Sequence, residues 1–202
     1  MKRSLLALAC MPFLAPSLAG AGEVSDVDAM RVLFESFTPR GQAGLSRLVQ
    51  DDVQQFCSRR DWARDKARMR SLQNEQRSLI KYPSDGVLMG DWRRGERIAQ
   101  TGVGLQYSDD PKIASGGNCY ACHQLSPEEI SYGTIGPSLR NYGRRHGTGA
   151  QAQRAAYGKI YNAQAYAVCS NMPRFGHSGI LTEQQIKDLV ALLLDPQSPV
   201  NR

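Results

Sequence analysis

Five residues, Cys119-Tyr120-Ala121-Cys122-His123, constrain this chain more than any other part of it. They spell C-x-x-C-H, the spacing at which two thiols add across the vinyl groups of one haem. A two-residue spacer lets a single turn of chain reach both vinyls, and the adjoining imidazole then points at the iron. Two other chemistries use a C-x-x-C pair. A zinc site needs further ligands at similar spacing, and none follow. A thioredoxin-like pair needs a βαβ pattern around it, and the neighbouring residues read as loop and helix. The motif therefore implies one haem c, attached through Cys119 and Cys122, with iron bound by His123.

The second axial position has three candidates downstream: Met172, His146 and His177. Met172 lies in Asn171-Met172-Pro173, where proline stiffens a turn and the thioether can project inward. A lone methionine is as readily core filler as ligand. His146 and His177 sit among glycines and charged residues, a setting that favours solvated side chains. A His/Met pair would stabilise reduced iron and occupy both axial positions, which argues against substrate activation at the metal. Gly136-Pro137-Ser138-Leu139 offers the Pro137 carbonyl as acceptor for the other ring N–H of His123, the kind of contact that fixes a ligating imidazole. Taken alone, that Gly-Pro pair is also an ordinary tight turn.

The first residues bear on compartment. Lys2 and Arg3 precede an apolar stretch from Leu5 to Leu14, and Ala19-Gly20-Ala21 forms a small-residue cleavage site, so residues 1–21 read as a signal peptide and the mature protein as periplasmic. Lipidation at Cys10 is the alternative, against which Ala7-Leu8-Ala9 makes a poor cleavage box. No later stretch is apolar enough to span a bilayer, so no membrane span is expected. The formal net charge is +6, and Lys2 and Arg3 leave with the leader. No basic run is interleaved with aromatics, so no nucleic-acid partner is expected. With Cys10 removed and Cys119 and Cys122 committed to haem, Cys57 and Cys169 remain. In an oxidising compartment an even pair is expected to form a disulfide.

Helical periodicity recurs along the mature chain. Ser25 caps a helix over 25–37 with Val27, Met30, Phe34 and Phe37 on one stripe. A second helix is expected from about Ala43 to Arg59, and a third from Asp61 to Ile80. Pro83-Ser84-Asp85-Gly86 then marks a change of composition. Asp91 caps a short helix through Gln100, and 101–149 is rich in Gly, Ser, Pro and Asn without strand periodicity. A loop that long is tolerable where a cofactor supplies the core. Thr182 and Gln185 form a capping box for the last helix, with Ile186, Leu189, Val190 and Leu193 as its buried stripe. The expected architecture is all-α: an N-terminal helical extension over 22–85, then a haem-binding domain over 86–202.

Together these pieces resemble class I cytochrome c: a helix, C-x-x-C-H, Gly-Pro-x-Leu, a Met-Pro turn and a C-terminal helix. More closely, residues 86–202 resemble the SoxX family, the monohaem subunits of the SoxAX complex of bacterial sulfur oxidation. The resemblance is carried by 117–124, by 135–139, and by the turn Met172-Pro173-Arg174-Phe175-Gly176. Gly179-Ile180-Leu181-Thr182 and the tail 195–201 complete it. The turn and the tail are far more specific than the haem motif. The resemblance implies Met172 as distal ligand and a SoxA-like haem protein as heterodimeric partner. It also implies a role in an L-cysteine S-thiosulfotransferase that joins thiosulfate oxidatively to a cysteine of the SoxYZ carrier. The chain would accept the released electrons and pass them to a small cytochrome c, with the substrate site on the partner. A freestanding electron carrier serving another oxidase or dehydrogenase is the alternative. The helical extension is outside the pattern that carries the resemblance.

Overall fold

The computed structural model describes residues 25–202, so the expected leader over 1–21, with Cys10, lies outside the described residues. The first compact unit ends at Phe37 and contains helix α1, Asp26–Ser36. The Ser25 hydroxyl caps it by accepting from the Asp28 N–H at 3.1 Å. None of the side chains of α1, the expected apolar stripe included, is buried.

The second unit is Thr38–Arg202. Its first helix is shorter than the apolar pattern predicted. A 3-10 turn at Leu45–Leu48 gives way to extended chain, and α2 begins only at Asp52 and ends at Ser58. The cause is Asp51, whose carboxylate accepts from Gln54 N–H while the Gln54 side chain returns to the Asp51 N–H. That reciprocal capping box starts a new helix and satisfies donors that a continuous helix would have bonded internally. The third predicted helix is also trimmed: α3 runs Lys66–Ser78, capped by Asp65 and preceded by a 3-10 turn at Trp62–Arg64. Val53 and Phe56 of α2, Leu72 of α3 and Val168 form a satellite core, with Cys57 and Cys169 packed against it. These two cysteines form the expected disulfide, with Cα atoms 5.5 Å apart.

The main core is built on α4, Trp92–Gln100, crossing α7, Glu183–Leu194. Asp91 and Thr182 cap them as their sequences predict, Thr182 within a full capping box. The predicted stripe understates α7, in which every residue from Ile186 to Leu194 is buried. Two of those are charged. Asp188 accepts both Arg94 Nε and Nη2, at 2.8 and 2.9 Å, together with the Asp91 N–H and the Gln184 amide. Lys187 reaches out to Asp85 and Glu183. Between α4 and α7 lie α5, Tyr142–His146, and α6, Ala150–Tyr161. The latter was not legible beforehand, because its alanine-rich sequence has no strong apolar stripe. The described residues contain no strand, only one isolated bridge between Arg40 and Ala43. The all-α expectation holds.

Burial alone would push the Asp188 carboxyl up; the hydrogen bonds from Arg94, the Asp91 N–H and Gln184 outweigh it and hold it below the ordinary 3.8. A folded-state value below the unfolded one means the contribution is fully present above 3.8 and is lost as pH falls through the folded value. Denaturation midpoints measured down an acid series should therefore fall in that window, and Asp188→Asn should flatten the fall. An equally steep acid limb in the variant would assign it to other carboxylates.

Candidate functional site

The C-x-x-C-H turn is stapled to the end of α4. Gly117 N–H donates to Ile98 C=O at 2.8 Å and Asn118 N–H to Thr101 C=O at 3.0 Å. A Cβ on Gly116 would overlap the Thr101 backbone, so only glycine permits this approach. Asn118 takes a left-handed conformation (φ 44°, ψ 44°) that reverses the chain into the 3-10 turn Cys119–Ala121. Cys122 and His123 N–H groups both return to the Cys119 carbonyl, at 3.1 and 2.9 Å. The thiols of Cys119 and Cys122 are free, in contrast to the bridged pair elsewhere. Burial pushes the Cys119 thiol up to about 12, which keeps the sulfur protonated.

A second segment lies alongside and fixes the imidazole. Gly133, Gly136 and Leu139 N–H groups donate in turn to the carbonyls of Tyr120, Cys122 and Gln124, each at 2.8 Å. These rungs place the Pro137 carbonyl 2.7 Å from His123 Nδ1. Nδ1 must then carry the proton, which leaves the Nε2 lone pair available for a metal. A Cβ on Gly136 would overlap the His123 ring, and one on Gly133 would overlap the Ala121 carbonyl. Sequence reasoning read the Gly-Pro pair and missed the demand for both glycines. The register of 133–139 against 120–124 was the missing information.

Met172 is half-buried against the main core, as are Cys119, Leu139 and Ile180. Its N–H donates to Ser170 Oγ at 3.1 Å. His146 is exposed at the end of α5, its ring 4.3 Å from that of Tyr142. His177 is also exposed and spends its N–H on the Tyr161 carbonyl. The loops flanking the motif build little core of their own: Ile113, Ile130 and Ile135 are all exposed.

The family model for cytochrome c matches residues 93–195, half of the chain. The chain belongs to the cytochrome c family. A cytochrome c is an electron-transfer domain that carries covalently attached haem c, and the residues present fit that group. Two unbridged thiols stand at the right spacing, one imidazole is oriented with a nitrogen free, and a thioether packs on the same core. Among the described residues no three His, Cys, Asp or Glu gather into a metal-binding group. A haem iron needs no such cluster, because the macrocycle supplies four of its ligands.

Among relatives, this cytochrome is 44% identical over 129 residues to an uncharacterized lipoprotein of Aquifex aeolicus (strain VF5), a match covering 63% of this chain. The chain spans 61% of that relative's length. Among solved structures it is similar to the crystal structure of SoxXA from P. pantotrophus, at 32% identity and a TM-score of 0.38. That match covers 53% of this chain and 82% of the other. Among the described residues no helix is long and apolar enough to cross a membrane.

Proposed function

We propose that this cytochrome is the single-haem electron-transfer subunit of a SoxAX-type L-cysteine S-thiosulfotransferase. The observation that carries the reading is the Met172-Pro173-Arg174-Phe175-Gly176 turn, packed on the core that also receives Cys119. The tail supports it as well. Ser198, Val200 and Asn201 are buried, and Asn201 accepts from Gly143 N–H while donating to Leu193 and Asp195 carbonyls. The last residues are thus part of the domain and not a loose end, as a sequence signature for a subfamily requires.

In this reading Cys119 and Cys122 would hold the haem through thioethers, and His123 and Met172 would bind its iron. The Pro137 carbonyl keeps His123 in one tautomer and one orientation. When bound, the haem supplies a one-electron iron couple. The chain's own part is to orient the axial ligands and exclude water from them, with Met172 favouring the reduced state. A SoxA-like haem protein is the proposed partner and holds the substrate site. Thiosulfate is joined there to a cysteine of SoxYZ with release of two electrons and the thiol proton. A small cytochrome c takes the electrons onward.

Met172→Ala is expected to keep covalent haem and to lower the reduction potential by on the order of a hundred millivolts. Spectroelectrochemistry giving an unchanged potential would remove Met172 from the iron. For the partner, mature protein made with haem-maturation machinery would be passed through host periplasmic extract and the retained proteins identified. A bound SoxA-like haem protein, and haem reduction on adding thiosulfate and SoxYZ, is the expected result. A cytochrome that retains no such protein and exchanges electrons freely with unrelated proteins would be a freestanding carrier. We propose periplasmic export. The lipoprotein relative favours attention to Cys10, and the mass of the native mature N-terminus separates cleavage after Ala21 from lipidation at Cys10.

A further inference from the structure

Helix α2 touches the chain on both sides of Met172. Near its C-terminal end Cys57 is bridged to Cys169, three residues before Met172. At its N-cap the Asp51 carboxylate pairs with the Arg174 guanidinium, two residues after Met172. Arg174 is almost enclosed, its side chain 11% exposed, and its Nη1 also reaches Gln76 Oε1 at 3.4 Å. The approach to the turn is held from α3. Gln73 Nε2 donates to Tyr166 C=O at 2.8 Å, Arg77 Nη2 to Ala165 C=O at 3.3 Å, and Asn162 Nδ2 to Gln76 Oε1 at 3.0 Å.

The lengths matter. From residue 51 to residue 57 a helix rises about 9 Å, whereas the chain from 169 to 174 could extend to about 17 Å. Both anchors of the stretch thus lie on one short helix, with only four residues between Cys169 and Arg174. Its first anchor, Cys169, packs on the satellite core, and Met172 packs on the main core. The segment that supplies both anchors lies outside the cytochrome c match.

We infer that α2 is a splint for the Met172 turn, with Cys57 and Asp51 as positioning residues that hold the thioether at the iron without touching it. The inference rests on Met172 being the axial ligand proposed above. The disulfide is the stronger tether, since Asp51 is 42% exposed and its ion pair is partly screened by water.

The test uses the ferric holoprotein and added imidazole, which competes for the position a thioether occupies. Loss of the thioether-to-iron charge-transfer band reports displacement. Cys57→Ser combined with Cys169→Ser should bind imidazole at least about tenfold more tightly than the parent protein. Asp51→Asn, which keeps an oxygen to cap α2, should give an increase of a few-fold. Amide exchange over 170–174 should quicken in both. Ser198→Ala, which removes the buried bond to the Leu192 carbonyl in the tail and leaves every hydrogen bond of 169–174 in place, serves as control for general loosening and should leave the affinity unchanged. Imidazole affinity unchanged in the cysteine variant, or raised equally in Ser198→Ala, would overturn the splint. A parent protein with no charge-transfer band would fail at the earlier step, because Met172 would not be the ligand.

Discussion

Gly136→Ala should loosen the grip of His123 on a metal by about 10–100-fold, the usual effect of disturbing the group that orients a ligating imidazole. The new methyl group would occupy the space of the ring itself, meeting its carbon and both nitrogens. The backbone at 136 cannot retreat, because its N–H is bonded to the Cys122 carbonyl and the next rung is fixed at Leu139. The ring must yield instead, and it leaves the Pro137 carbonyl. Ferric spectra should then show a growing high-spin fraction with the thioether links intact. A spectrum identical to that of the parent protein would mean that the 133–139 segment gives way without cost.

Gly95→Ala should destabilise the fold by about 2 kcal/mol, lowering Tm by roughly 4–8 °C for a domain of this size. A Cβ at Gly95 would overlap the Asp188 carbonyl and stand 3.0 Å from Leu192 Cβ. The first of these is backbone, so no rotamer change removes the collision and α4 must move off α7. Alanine gains about 1 kcal/mol over glycine in a helix interior, which the lost packing outweighs. Separating the helices also lengthens the bonds from Arg94 to Asp188. A melting temperature at or above that of the parent protein would show that the crossing tolerates a wider spacing.

Much of this architecture was written in local signals. The caps of α1, α4 and α7 are short-range patterns of side chain and N–H, and they appear at Ser25, Asp91 and Thr182 as read. The C-x-x-C-H turn and the Cys57–Cys169 bridge were likewise deducible from spacing and pairing. What escaped depended on distant partners. Asp188 and Lys187 look like the solvated face of α7, yet Arg94 and Asp85, nearly a hundred residues earlier, allow both to be buried. Asp51 began a new helix where the apolar stripe ran on unbroken. Helix α6 hid because alanine and Gly158 carry little periodic signal, and Gly158 is buried under the hydroxyls of Tyr82 and Tyr166. At the site, the motif named His123, but only the register of a second segment shows that Gly133 and Gly136 are needed beside it.

The Cys57–Cys169 bridge also closes a covalent loop around the C-x-x-C-H turn. Its halves are 112 residues apart, and Cys119 and Cys122 lie between them. Along the chain Cys57 comes first, then the two thiols of that turn, and the native partner last. The two sulfurs nearest to Cys57 on its C-terminal side are therefore not its partner. Thioether formation at Cys119 and Cys122 would take both out of thiol–disulfide exchange and leave Cys57 and Cys169 to each other.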